Sequence, residues 1–139
     1  MRFFLDTMLG HLVTWLRLLG YDTVYNRSLR DEEAIAAAKA EGRVFVTRDR
    51  NLAQKSRKIG VQTVLLETTD TVESLRIISK TVGISLAFEE ERSRCPECNS
   101  VLAKVSVNPV KWSCPYCGKS YWIGRHWRNI SKTLKLLQG

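Results

Sequence analysis

The chain has 139 residues, 44% of them apolar and 26% charged, with a net charge of +8 and a mean hydropathy of −0.20. This is enough apolar content for a buried core, and no apolar run approaches the ~20 residues that a membrane-spanning helix needs. The first residues lack a charged segment followed by an apolar stretch and a cleavage site, so the expectation is a cytosolic protein without a signal peptide.

The run from Arg2 to Leu5 reads as a first strand, stopping at Asp6. Leu12, Trp15, Leu16 and Leu19 then recur at i, i+3, i+4 and i+7, the stripe of an amphipathic helix over 10–19 that Gly20 stops. Thr23 to Tyr25 predicts a short second strand. Ser28 with Asp31 predicts a capping box that opens an Ala-rich helix ending at Gly42. Val44 to Thr47, β-branched and aromatic, predicts a buried central strand that ends at Asp49. A third helix over about 51–59, a fourth strand over 61–66, and a helix capped by Asp70 with Glu73 and running to about Val82 complete the pattern. Four alternations of strand and helix predict a parallel sheet covered by helices. A charged connector over 84–94 divides this α/β domain, residues 1–88, from a second unit, 89–139.

That second unit has a different chemistry. Cys95-Pro-Glu-Cys98 and Cys114-Pro-Tyr-Cys117 give two C-x₂-C pairs separated by fifteen residues. Two such knuckles supply four thiolates in a tetrahedral set suited to Zn²⁺. With all four positions filled by protein, the zinc is structural. Disulfides are the alternative, disfavoured in a cytosolic chain. Short β-prone pieces over 101–107, 111–113 and 120–123 predict a small β-rich ribbon. Ile130, Leu134 and Leu137 predict a helix over about 126–137.

Charge is also unevenly placed. Residues 98–139 contain seven Lys and Arg and no acid, +7 of the total +8. Lys111, Trp112, Lys119, Trp122, Arg125, His126, Arg128 and Lys132 interleave cations with aromatics, a pattern that contacts phosphates and stacks unpaired bases. The bland alternatives are that the tryptophans pack the ribbon, that the charges serve solubility, and that His126 is a capping or packing residue.

In open α/β sheets ligands bind beyond the carboxyl ends of the strands. Asp6 and Asp49 both sit at such ends, and Asp31, Glu32 and Glu33 open the second helix on the same side. Carboxylates brought together repel unless a cation neutralises them, and oxygen ligands favour Mg²⁺ or Mn²⁺. Metal-assisted phosphodiester cleavage needs little else. Arg17, Arg48 and Arg50 are either phosphate-steering groups or plain surface charges. Asp49 can instead be a helix cap, and so can Asp31. No G-x-G-x-x-G, no Walker loop and only two His exclude nucleotide-cofactor and Ser-His-Asp readings.

Phe4-Leu5-Asp6-Thr7-Met8-Leu9-Gly10-His11-Leu12 with Trp15-Leu16-Arg17-Leu18-Leu19-Gly20-Tyr21-Asp22 resembles the opening signature of the Mut-seven carboxy-terminal ribonuclease family. Gly42 to Arg50 is similar to its second motif. Ser93 to Asn99, Cys114 to Trp122 and Gly124 to Trp127 are similar to its ribbon. The resemblance implies a PIN-like three-layer α/β domain followed by a zinc ribbon, and a Mg²⁺- or Mn²⁺-dependent, endonucleolytic ribonuclease. Carried over by motif, the catalytic acids fall on Asp6, Asp31 and Asp49. Where many PIN domains have a further acid, this chain has Asn51, a neutral ligand. The competing readings are an RNA-binding module associated with the ribosome, rRNA or tRNA that does not cleave, and a structural zinc protein that pairs with another protein.

Overall fold

The computed structural model describes residues 1–122 and 125–138; the side chains of residues 125–128 lie outside the described residues. Among the described residues, seven strands and five helices follow in order: β1 (Arg2–Leu5), α1 (Gly10–Leu18), β2 (Asp22–Tyr25), α2 (Asp31–Glu41), β3 (Val44–Thr47), α3 (Arg50–Lys58), β4 (Thr63–Leu65), α4 (Thr71–Val82), β5 (Ala103–Val107), β6 (Val110–Ser113), β7 (Ser120–Trp122) and α5 (Arg125–Gln138). A 3₁₀ turn, Thr7–Leu9, joins β1 to α1. No helix among the described residues is long and apolar enough to cross a membrane.

The first four strands form one parallel sheet in the order β2-β1-β3-β4. Alternation along the two central strands divides the core. Phe3, Leu5, Val44 and Val46 face one way, packing with Leu12, Leu16 and Leu19 around α1 and with Leu75 and Ile78 of α4. Phe4 and Phe45 face the other way and meet Ile35, Ala38 and Leu52 of α2 and α3. The sheet therefore has helices on both faces, as continuous apolar strands require.

Caps set the helix starts, and one differs from expectation. Asp70 accepts from the Glu73 N–H at 2.8 Å, as its sequence predicts. The Ser28–Asp31 capping box does not form. The Ser28 N–H is taken by Asn26 Oδ1 at 2.9 Å, and Glu33 reaches back to the Arg30 N–H at 3.0 Å, so Arg30 is the cap residue. Gly42 and Gly83 end α2 and α4 in the left-handed conformation.

The second unit is an antiparallel sheet, β5-β6-β7, over a small core of Leu102, Trp112, Cys95 and Cys114. The chain then returns to the first unit. Leu134 and Leu137 of α5 join the core formed by α1 and α4, with Ile130 packed against it. The Gln138 amide donates to the Leu86 carbonyl at 2.6 Å, and Arg76 donates to the Leu136 carbonyl.

Candidate functional site

From β1 the chain connects outward to β2, and from β3 outward to β4 in the opposite direction. The reversal falls between the two central strands, where ligands of such sheets bind. Asp6 and Asp49 lie just beyond the carboxyl ends of β1 and β3. The ladder continues one step past β1, the Asp6 N–H donating to the Val46 carbonyl at 3.0 Å. Asp6 is 8% exposed; its Oδ1 accepts the Thr7 N–H at 2.7 Å and its Oδ2 accepts the Thr47 hydroxyl at 2.8 Å. Thr47 Oγ1 in turn accepts the Asp49 N–H at 3.0 Å. A hydroxyl has one proton, and here it points to Asp6, so the buried Thr47 ties the two acidic residues together in a fixed sense.

Asp49 is the N-cap of α3, accepting the Leu52 N–H at 3.1 Å through Oδ1. Capping leaves its second oxygen and further lone pairs for a cation, so the structural and chemical roles coexist. Asp31 occupies the first position of α2, exposed, at the same edge of the sheet. Glu32 is exposed and pairs with Lys55 at 3.6 Å. Asn51 and Arg48 are exposed beside Asp49. Among the described residues, Asp6, Asp31 and Asp49 do not form a group whose ligand atoms all lie within 4.8 Å of one another.

The four cysteines do form such a group. Sγ of Cys95 and Cys117 are 3.7 Å apart, and those of Cys98 and Cys114 are 3.3 Å apart. A tetrahedron with Zn–S distances of ~2.3 Å has edges of about 3.8 Å, so the set fits zinc in donor type, number and spacing. The two knuckles are near copies. In each, the residue after the second cysteine has a left-handed backbone, Asn99 with φ 71° and Gly118 with φ 77°. In each, its N–H donates to the carbonyl of the first cysteine at 2.9 Å. The Cys117 N–H faces the Cys114 sulfur at 3.4 Å, and the Tyr121 hydroxyl lies 3.3 Å from the Cys95 sulfur. Hydrogen bonds from Ser100 lower the Cys98 thiol to about 6. At Cys117 the Lys119 N–H pulls downward, but desolvation and the adjacent thiols outweigh it and push that thiol up to about 11. Zinc must therefore displace protons to bind.

Two expected site residues are placed elsewhere. Arg17 is not a phosphate-steering group at the acidic edge. It is 8% exposed, and its guanidinium donates to the Thr23 carbonyl at 2.8 and 3.1 Å and to the Pro96 carbonyl at 2.6 Å, at the amino-terminal edge of the sheet. Trp112 is not an RNA-facing residue. It is 3% exposed in the ribbon core, with its indole N–H on the Glu90 carbonyl at 3.0 Å. Lys111, Trp122 and Lys132 are exposed, as is Lys119, which pairs with Glu97 at 3.5 Å. The side chains of Arg125, His126 and Arg128 fall outside the described residues.

Sequence reasoning missed Thr47, although its place as the last strand residue before the Asp49 turn was a usable signal. It also missed Tyr25, whose hydroxyl donates to the Thr7 carbonyl at 2.7 Å and lies over Gly10, where a Cβ would approach it to 3.1 Å. This clamp holds the turn that carries Asp6. Asn99 was likewise missed. Its side chain donates to Asp22 at 2.6 Å and accepts the Thr23 N–H at 3.0 Å, docking the first knuckle on the start of β2. Burial acts to raise the Asp22 pKa, but hydrogen bonds from Arg43 and Asn99 outweigh it and hold the carboxyl below its ordinary range.

In comparisons with known proteins, the family model described as the Mut7-C RNAse domain matches residues 1–134. No curated protein and no solved structure matches the chain.

Proposed function

Because the chain belongs to the Mut7-C RNAse domain family, we propose that it is a metal-dependent ribonuclease, PIN-like in its α/β unit, that cuts RNA endonucleolytically. The observation that carries this reading is the Asp6–Thr47–Asp49 hydrogen-bonded chain at the crevice between the two central strands. Asp6 and Asp49 are the residues that would hold a cation there, with Asp31 and the neutral Asn51 nearby on the same edge. Mg²⁺ or Mn²⁺, when bound, would supply an activated water and charge neutralisation at the scissile phosphate. The protein's own part is orientation. Thr7 and Thr47 fix the rotamer of Asp6, the α3 cap fixes Asp49, and the exposed Arg48 and Arg50 lie beside them at the start of α3. Helix N-termini after both strands favour anionic groups at this edge.

The test is cleavage of a labelled RNA in Mg²⁺ or Mn²⁺. Asp6→Asn and Asp49→Asn should each lower the rate by more than about a hundredfold, since outer-shell partners of a metal alone are worth ~10–100-fold. Asn is as good an N-cap as Asp, so Asp49→Asn keeps α3 while removing the charge. Either variant cutting at the wild-type rate while folded would end this reading. A second reading is an RNA-binding module on rRNA, tRNA or the ribosome that does not cleave. It is favoured by the wider spacing of the three acids and by the uncharged Asn51. RNA binding by wild-type protein with no metal-dependent cutting would establish it.

A further inference from the structure

The first knuckle is docked at the opposite edge of the sheet from Asp6 and Asp49. Asn99 binds Asp22 and Thr23 where β2 begins, and Asp22 pairs in register with Arg2, four residues before Asp6. At ~3.3 Å per strand residue, this is about 13 Å of sheet. The ribbon's inner face also looks toward that edge. Trp112 packs against Phe88 of the connector, and Phe88 also packs on the α/β core.

The outer face of the ribbon sheet has a different character. Lys111 pairs with Trp122 and Ser113 with Ser120, while Ser106 and Ala103 lie across from Lys111 and Ser113. Trp122 is 61% exposed and Lys111 is exposed. The described residues sharing this face with them are Ala103, Ser106, Ser113 and Ser120, all too small to cover an indole, and Val105 at the bulge of β5, itself 61% exposed. A large aromatic ring standing among small side chains beside a lysine fits a flat, anionic ligand. The partner's charge is set by composition, because residues 98–139 contain seven Lys and Arg and no acid.

We propose that this outer face is an exosite for single-stranded RNA, with a base stacked on Trp122 and the adjoining phosphate on Lys111, and that its distance from the acidic edge sets a minimum substrate length. The length clause rests on the ribonuclease reading; the binding clause does not. A strand stacked at ~3.4 Å per nucleotide needs about four nucleotides to cover 13 Å, and more to round the ribbon. A stacked tetranucleotide is used up by those ~13 Å and leaves nothing to round the ribbon to Trp122, whereas a twelve-nucleotide strand reaches both places.

The experiment has two arms. In the Asp6→Asn protein, fluorescence anisotropy with a fluorescein-labelled 12-mer oligouridylate reads binding without cutting. Trp122→Ala should weaken that affinity on the order of tenfold or more, and Trp122→Phe, which keeps a stacking face, should restore most of it. In the otherwise wild-type protein with Mn²⁺, the kcat/KM ratio of 12-mer to tetranucleotide should fall by a similar factor in Trp122→Ala, through KM. Unchanged anisotropy in Trp122→Ala overturns the exosite and leaves this face to a protein partner. Lost affinity with an unchanged length ratio overturns the length role. Binding through Trp122 without any cutting by wild-type protein upholds the exosite and sinks the ribonuclease reading.

Discussion

Thr47 does more at the acidic edge than its size suggests. It has no exposed surface, and its single hydroxyl satisfies both the Asp6 carboxylate and the Asp49 N–H. Thr47→Val keeps the shape and removes the hydroxyl, leaving a donor and an acceptor unpaired. It should cost about 1–3 kcal/mol in urea unfolding, and Thr47→Ser should recover most of it. The metal concentration for half-maximal activity should rise in parallel if Asp6 is a ligand. The sequence showed this edge only partly. Asp6 and Asp49 were legible because each follows a short apolar run, and alternation along a buried strand is a local property. Arg17 and Trp112 were misleading because what they touch is contributed by other parts of the chain. A cation beside an aromatic-rich motif looks exposed until the Thr23 and Pro96 carbonyls close around it.

Elements were easier to read than their partners. The strands and helices of the first 83 residues fall close to where periodicity puts them, since each is defined by spacing within a dozen residues. The cap of α2 was misread because Asn26 takes the Ser28 N–H that Asp31 would have accepted in such a box, and Glu33 pairs with the Arg30 N–H instead. The destination of α5 was not legible at all. Its apolar stripe was visible, yet only packing shows that Leu134 and Leu137 fill the space beside α1 and α4. Leu134→Ala should therefore destabilise the α/β core by roughly 2–4 kcal/mol in a thermal or urea melt. Leu136→Ala, on the 58% exposed side of the same helix, should change stability by less than about 0.5 kcal/mol.

At the scale of the whole molecule, the metal knuckles and the sheet hold each other. Arg17 donates to Pro96 inside the first knuckle, the Arg94 N–H donates to the Arg17 carbonyl at 2.8 Å, and Asn99 continues the edge of β2. Gly20 allows this close approach, since a Cβ there would come within 3.0 Å of the Arg92 backbone. With zinc loaded on the four cysteines, chelating it should loosen the ribbon and expose Trp112, seen as a red shift in tryptophan emission. Acid should do the same. In the metal-free ribbon the Cys98 thiol is lowered to about 6, so its thiolate favours the folded ribbon above the ordinary thiol range, and that contribution is lost as pH falls through about 6. Zinc requires all four thiolates, so a chromogenic chelator should capture it increasingly fast between about pH 7 and pH 5.

A ribbon made of two matching loops is nearly its own image after a half-turn, and the four sulfurs cannot tell one orientation from the other. The residue that follows each pair can. Asn99 presents an amide that both gives and takes a hydrogen bond, and it finds Asp22 and Thr23 waiting. Gly118, in the same backbone conformation, offers no side chain and has empty space where one would stand. The asymmetry between an asparagine and a glycine thus adds to the contacts of Arg17 and Trp112 in setting which way round the ribbon is mounted, and with it which side of the ribbon is left facing outward.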